Sequence, residues 1–198
     1  MYEDNSNINF LLLSQYKASA IVEKFKREHK FKKKEDIFIL SSGHAALALY
    51  VVLEHFENQC AENLLKESGG HPHRNLKHGI HCSTGSLGMG ITVAVGRALA
   101  NKNRDYYVLL SDGECAEGSV WESLKSIKEK NLNNIHVYVN CNGYCAYNTV
   151  DVTYLEKRLK SFLPSINFIK TKVHSYNFLK GINGHYHIMN AENYNSIQ

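Results

Sequence analysis

Strand-like and helix-like segments alternate along most of this chain, and that alternation constrains its fold more than any other feature. Four runs have the β-branched and aromatic composition of strands: DIFIL at 36–40, YYVLL at 106–110, IHVYV at 135–139 and NFIKTKV at 167–173. Apolar residues recur at helical spacing after Gly43, Gly85 and Gly118. Because parallel strands need long crossover connections, this order predicts an α/β fold, a mostly parallel sheet with helices on both faces.

Length and composition favour one compact unit. The 198 residues fit a single domain over 1–198, and we expect it to open with a helical segment over 1–35. Apolar runs such as FLLL at 10–13 fall short of the roughly 18–20 residues that span a bilayer, and no basic leader precedes them. We therefore expect a cytoplasmic protein with no membrane partner.

Charge and cysteine usage agree with that location. The net charge of +4 is mild, and much of it comes from KFKREHKFKKK at 24–34, which either meets phosphates or forms a solvated helix face. No nucleic-acid recognition motif accompanies it, so no nucleic-acid partner is expected. Five irregularly spaced cysteines fit reduced thiols, and CxxxC at 141–145 is either a pair of ordinary thiols or a weak metal signal.

Residues 70–82, GHPHRNLKHGIHC, concentrate imidazoles in one short stretch: His71, His73, His78 and His81, followed by Cys82. Zinc ligands usually come as tight pairs separated by a longer span, and no such pairing is clean here. The residues alone leave open a zinc cluster, solvated loop histidines, or another site that needs imidazoles.

Three glycine-containing loops join the predicted elements: the first loop SSGH at 41–44, the second loop STGSLGMG at 83–90 and the third loop SDGECAEG at 111–118. In parallel α/β sheets, ligands bind at the carboxyl ends of the strands, where such loops lie. Glycine lets the main chain approach a ligand closely, and N–H groups at a helix start favour anions. One loop would be ordinary turn chemistry, but three favour a phosphate-bearing ligand.

Asp112 follows one predicted strand, and Asn142 follows the next strand along the chain, thirty positions later. A right-handed crossover of that length places both side chains at the same edge of the sheet. A carboxylate, an amide oxygen and a nearby main-chain carbonyl form a hard-oxygen half-shell for a magnesium-sized ion, completed by phosphate and water. Alternatively, Asp112 only caps a helix and Asn142 only forms an Asn-Gly turn.

These segments, taken in order, resemble the thiamin-diphosphate-binding domain of transketolase over about residues 36–190. The segments that carry the resemblance are DIFILSSGHAALALY, GGHPH, STGSLGMGITVAVGRALA, YYVLLSDGECAEGSVWESL, VNCNGY and KTKV with a later GHYH. The family's metal motif coincides with the Asp112 and Asn142 pair. The resemblance implies that 1–198 is a single diphosphate-binding domain with thiamin diphosphate and Mg²⁺ as cofactors.

The resemblance also implies roles for individual residues. Magnesium would be held by Asp112, Asn142 and the main-chain oxygen of Tyr144. The other cofactor-binding residues would be Gly113 in the same turn, His44 at the diphosphate, and Gly85 and Leu87 along the cofactor. The catalytic residues would be His71 beside the reacting carbon, Glu117 in a carboxylate relay across a subunit interface, and His185 near diphosphate and substrate.

A full transketolase carries two further regions, one that grips the aminopyrimidine and a carboxyl-terminal domain. Nothing after GHYH at 184–187 resembles either region. We therefore expect a split enzyme in which a second subunit supplies both regions, self-association gives a heterotetramer, and this chain alone is inert. The expected activity is transfer of a two-carbon ketol unit between sugars or sugar phosphates in carbohydrate metabolism.

Departures from the family pattern leave the sugar open. Ser111 replaces a glycine, residues 144–148 replace a segment with an aspartate-glycine pair, and no SGHPG element precedes residue 36. These changes favour an unusual ketose donor or sugar acceptor. Two alternatives stand beside this reading: the α subunit of a 2-oxo acid dehydrogenase, against which GHP and STGSLG argue, and a non-catalytic module that retains the fold.

Overall fold

The computed structural model describes residues 35–145, 148–171, 176–178, 187 and 190–196, and its elements follow the predicted alternation. The strands are β1 (Ile37–Leu40), β2 (Tyr106–Ser111), β3 (Ile135–Cys141) and β4 (Asn167–Lys170). The helices are α1 (Ala46–Glu57), α2 (Ala61–Ser68), α3 (Met89–Ala100), α4 (Gly118–Glu129), α5 (Val152–Phe162) and α6 (Ala191–Asn195). The helical segment predicted over 1–35 lies outside the described residues, apart from Glu35.

The four strands form one parallel sheet in the order β1-β2-β3-β4. Each strand pairs with the next one along the chain, and α3, α4 and α5, which lead directly into β2, β3 and β4, pack on one face, as right-handed crossovers require. The first two helices, α1 and α2, pack on the other face. The predicted parallel α/β fold is confirmed. The fourth strand is shorter than predicted: it ends at Lys170, Thr171 lies beyond it, and residues 172 and 173 are outside the described part.

Two apolar cores cover the two faces of the sheet, because successive strand residues point to opposite sides. In β2, Val108 and Leu110 face the core formed with α3, α4 and α5. Tyr107 and Leu109 face the core formed with α1 and α2. Because both faces of the sheet are buried, polar functional groups are expected in the loops at the ends of the strands.

At the amino-terminal edge of the sheet, Asn134 ties the start of β3 to the stretch between α3 and β2. Its side-chain Nδ2 lies 3.1 Å from the carbonyl of Ala98, 3.0 Å from that of Asn101 and 3.1 Å from that of Arg104. Asn134 therefore fixes the end of α3 and the start of β2 against β3, far from the carboxyl ends of the strands.

Candidate functional site at the carboxyl edge of the sheet

The carboxyl ends of β2 and β3 lie side by side, as their predicted adjacency requires. Ser111 pairs with Asn140 in the parallel register, so Asp112 and Asn142 follow neighbouring strands at the same edge. The side chain of Asp112 reaches the segment after β3, where its Oδ2 accepts hydrogen bonds from the main-chain N–H of Asn142 at 3.0 Å and of Gly143 at 2.8 Å. The structure thus brings the two predicted residues together.

Asp112 is nearly buried, with 3% of its surface exposed. Its Oδ1 accepts from the Gly113 N–H at 3.1 Å, and the Cys141 thiol lies 3.3 Å from Oδ2. Burial, followed by the Asp112 carboxylate, raises the pKa of the Cys141 thiol to about 12. Asp112 therefore does more than cap the helical turn that follows it, because its side chain also joins the ends of β2 and β3.

Asn142 and Tyr144 lie in the turn that follows β3 and are exposed. The Oδ1 of Asn142 accepts a hydrogen bond from the Tyr144 N–H at 2.8 Å, and Gly143 between them has a φ of +85°, which favours glycine. The Asp112 carboxylate, the Asn142 amide and the Tyr144 main-chain carbonyl are hard oxygen donors at this edge of the sheet. This donor set fits magnesium with its remaining positions open to phosphate and water.

The first and second glycine loops touch through their main chains. A Cβ added to Gly43 would lie 2.4 Å from the Thr84 carbonyl oxygen and 2.7 Å from the Gly85 nitrogen. A Cβ added to Gly85 would lie 3.2 Å from the His71 ring. His71 and Gly85 therefore lie beside Gly43. Gly43 and the exposed His44 belong to the same 3₁₀ turn.

Of the four remaining predicted residues, three lie in the described part of the chain and one does not. Leu87 is partly exposed in the second loop, and Gly113 is partly exposed after Asp112. Glu117 is exposed at the start of α4, with its Cβ 3.0 Å from where a Cβ of Gly88 would lie. His185 lies outside the described residues.

Sequence reasoning missed Glu114, which is fully buried (0% exposed) in the 3₁₀ turn Gly113–Ala116. Burial raises the pKa of the Glu114 carboxyl, and hydrogen bonds from Ser41, Ser111 and Gly88 oppose that rise. The third loop contains two glutamates, Glu114 and Glu117, and its sequence gives no signal for which of them is buried.

The histidine-rich stretch contains no zinc cluster, since no three His, Cys, Asp or Glu side chains in the described ranges are grouped to hold a metal ion. The reading of this stretch as solvated loop histidines fails for two residues. His78 Nδ1 lies 2.5 Å from Gln59 Oε1 and its Nε2 lies 3.7 Å from Glu67, while His81 is half-buried. His73 is exposed and fits that reading.

All five cysteines are free thiols, which agrees with the expected reduced state. Cys115 and Cys141 are buried, and the Cys145 Sγ lies 3.0 Å from the Asn148 carbonyl. The CxxxC pair thus consists of thiols with separate oxygen partners.

His81 should make stability depend on pH. Burial, then the charges of Arg97, Arg104 and Arg74, lower the pKa of this imidazole in the folded chain. As pH falls, the imidazole of the unfolded chain therefore takes up a proton before that of the folded chain does. The contribution of His81 to the free energy of unfolding is fully present above the ordinary histidine pKa, and it is lost as pH falls through the lowered pKa of the folded chain. Because His81 is partly exposed, we expect the effect to be below about 1 kcal/mol.

The test is urea unfolding at pH 7.5 and pH 5.5 of the wild type and of His81→Gln, which cannot titrate. The variant should lose less stability between the two pH values than the wild type. Equal losses in both proteins would contradict the role of His81.

Together, the parallel sheet and the three glycine loops around Asp112 define an α/β domain of the kind that binds ligands at the carboxyl ends of its strands. Residues 18–175 match the family described as transketolase, thiamine diphosphate binding domain, and the chain belongs to that family. Among the described residues, no helix is long and apolar enough to cross a membrane.

Similar proteins include an apulose-4-phosphate transketolase subunit of Phocaeicola vulgatus, 40% identical over 119 residues that cover 55% of this chain and 42% of that protein. Transketolase-like protein 2 of Mus musculus is 34% identical over 142 residues, which cover 64% of this chain and 22% of that protein. A solved transketolase variant from Pichia stipitis shares the fold, with a TM-score of 0.61 and 20% identity over 90% of this chain and 37% of that chain. The chain spans less than half the length of each of these relatives.

Proposed function

We propose that this chain holds magnesium and the diphosphate of thiamin diphosphate in a transketolase-like enzyme, and that a second polypeptide completes the site. The observation that carries the proposal is the bonding of the Asp112 carboxylate to the main-chain amides of Asn142 and Gly143, which places an acidic and an amide oxygen donor at one strand edge. The family match supports the cofactor, because the matching domain is described as thiamine diphosphate binding.

In this proposal, Asp112, Asn142 and the Tyr144 carbonyl hold magnesium, and the first and second glycine loops hold the diphosphate and the rest of the cofactor through His44, Gly85 and Leu87. Bound thiamin diphosphate supplies an electron sink for breaking a carbon–carbon bond beside a ketone. His71, which lies against Gly85, donates or accepts hydrogen bonds at the sugar hydroxyls whose protons move during cleavage. The roles of Glu117 at a subunit interface and of His185 near the substrate are part of the same proposal.

The exposed side of α3 supports the proposal that a second polypeptide binds this chain. Met89 and Leu99 are 47% and 40% exposed, and the exposed Gly96 and Ala100 lie on the same side of the helix at helical spacing. The opposite side of α3, including Ile91, Ala94 and Ala98, is buried in the core. Apolar residues grouped on the exposed side of a helix are typical of an interaction surface, so we propose that the second polypeptide covers this face.

The sugar substrates are proposed from the relatives. Two similar proteins, from Phocaeicola vulgatus and Actinobacillus succinogenes, are each named as one subunit of an apulose-4-phosphate transketolase. That name supports both an enzyme divided into subunits and a phosphorylated ketose as the substrate class. It also favours a transketolase over the α subunit of a 2-oxo acid dehydrogenase.

The test is activity of the full chain with and without the polypeptide that co-purifies with it. With magnesium and thiamin diphosphate, the pair should transfer a two-carbon unit from a ketose phosphate to an aldose acceptor, and the chain alone should not. His71→Ala in the pair should lower kcat by roughly 100-fold, since positioned acid–base groups contribute on that scale.

His73→Ala is the matched control, because His73 is an exposed histidine two residues further along the same stretch. It should leave kcat unchanged. Turnover by the chain alone, or no transfer by the pair with any ketose phosphate, would contradict the proposed function and favour the non-catalytic alternative.

A further inference from the structure

Glu114 lies between the three glycine loops, and its carboxylate bonds to each of them. Oε1 accepts from the Ser41 hydroxyl at 2.6 Å and from the Gly88 N–H at 3.0 Å. Oε2 accepts from the Ser111 N–H at 3.0 Å, with the Ser111 hydroxyl at 3.5 Å. A carboxylate has about four acceptor positions, and this one has a donor for each.

The donors are next to the residues proposed to bind the cofactor. Ser41 opens the first loop before His44, and Gly88 follows Leu87 in the second loop. Ser111 immediately precedes Asp112. One buried side chain is therefore bonded within a few residues of each part of the proposed diphosphate and metal site.

The packing around these bonds leaves the loops little room to shift. A Cβ on Gly90 would lie 2.5 Å from the Ser41 hydroxyl oxygen, and one on Gly88 would lie 2.4 Å from the Ser119 hydroxyl oxygen. The Ser119 hydroxyl also donates to the Gly88 carbonyl at 3.2 Å. The Gly88 residue is thus held at its N–H by Glu114 and at its carbonyl by Ser119.

We propose that Glu114 is a positioning residue for the cofactor site: it sets the three loops in the one relative arrangement that binds the diphosphate. This inference rests on the proposed function. Glu114 is buried behind the loops and acts on the cofactor only through them, so its role differs from that of the metal-binding Asp112 and of exposed Glu117.

The test uses Glu114→Gln in the full chain, with binding of thiamin diphosphate plus magnesium chloride measured by calorimetry. Glutamine keeps the shape of glutamate but replaces one oxygen with an NH₂ donor. Whichever way the amide turns, that donor faces a main-chain N–H, of Gly88 or of Ser111, and neither can reorient to accept. We expect the dissociation constant to rise by about 10–100-fold, as for other residues that orient the groups binding a metal.

Asn134→Ala is the matched control for lost stability. The Asn134 side chain also lies within hydrogen-bond distance of three groups, but at the opposite edge of the sheet. Both variants should unfold at lower urea concentration than the wild type, and only Glu114→Gln should bind the cofactor more weakly at a temperature where both are folded.

Ser41→Ala keeps the inference testable if Glu114→Gln does not fold. It removes one donor from Oε1 and leaves the two main-chain donors in place, so we expect the dissociation constant to rise about fivefold. Where both variants fold, Ser41→Ala should add little to Glu114→Gln, because the two residues share one bond.

Each outcome has a separate meaning. Wild-type affinity in folded Glu114→Gln, or in Ser41→Ala where Glu114→Gln does not fold, overturns the positioning role and leaves the proposed function standing. An equal loss of affinity in Asn134→Ala also overturns it, since general destabilisation would then explain the effect. Failure of the wild-type full chain to bind the cofactor with magnesium contradicts the proposed function itself, because all the groups proposed for the diphosphate end lie on this chain.

Discussion

Asp112→Asn should weaken magnesium-dependent binding of thiamin diphosphate by about 100-fold or more, because it removes the only carboxylate proposed for the metal. The structure also shows why asparagine is a better substitution than alanine. Alanine would leave the partly buried N–H groups of Asn142 and Gly143 without their acceptor, at a cost of about 1 kcal/mol each. Asparagine can place its amide oxygen at the Oδ2 position and keep both bonds, and the conflict it introduces is limited to its NH₂ group facing the Gly113 N–H at the Oδ1 position.

The measurement is calorimetric titration of the wild type and Asp112→Asn with thiamin diphosphate, with and without magnesium chloride, together with urea unfolding of both proteins. Asp105→Asn provides the control, since it makes the same charge change at the opposite edge of the sheet, where Asp105 Oδ1 lies 2.9 Å from His136 Nε2. Unchanged affinity in Asp112→Asn, or an equal loss in Asp105→Asn, would contradict the metal assignment.

Gly43→Ala should destabilise the chain by about 3 kcal/mol, at the upper end of the cost of overpacking a core position. Its methyl group would lie 2.4 Å from the Thr84 carbonyl oxygen and 2.5 Å from the Thr84 carbonyl carbon. These are main-chain atoms, and the Thr84 hydroxyl also donates to the Leu40 carbonyl at 2.7 Å, so the second loop cannot move aside easily. The first and second loops would be forced apart at the site.

Gly96→Ala is the matched control, because Gly96 lies within α3 and a Cβ there meets no atom of the described chain within 4 Å. In the isolated chain, Gly96→Ala should stabilise by about 0.5–1 kcal/mol through helix propensity and reduced freedom of the unfolded chain. Urea unfolding of both variants measures the two effects. A loss below about 1 kcal/mol in Gly43→Ala would show that the loops are less tightly packed than the structure indicates.

The fold was predictable because its signal is repeated along the chain. The helical patterns after Gly43, Gly85 and Gly118 separate the first three strand runs, and parallel pairing of consecutive strands then fixes where Asp112 and Asn142 lie relative to each other. β4 was overestimated because NFIKTKV continues its strand composition beyond Lys170, where pairing with β3 ends at Cys141. The amino-acid composition of one strand does not indicate where its partner strand ends.

The interior of the site was not predictable in the same way. Glu114 and Glu117 are three residues apart in a single turn of chain, and only the path of the first and second loops decides which carboxylate is enclosed. The surroundings of His78 and His81 likewise depend on residues outside the histidine-rich stretch: Gln59 and Glu67 at His78, and Arg97 and Arg104 near His81. Contacts of this kind depend on the assembled fold, whereas the pairing of consecutive parallel strands depends mainly on the local pattern.

In the proposed function, the bonds from Asp112 to the amides after β3 would couple ligand binding to correct assembly of the sheet. A shift of β3 by one residue against β2 would carry Asn142 and Gly143 away from the carboxylate and turn the side chains of β3 to the wrong core. Only correctly paired molecules would then offer the metal and diphosphate site, and a ligand that binds only the native state raises its population by mass action. Thiamin and magnesium supplied during expression would therefore increase the yield of correctly folded protein.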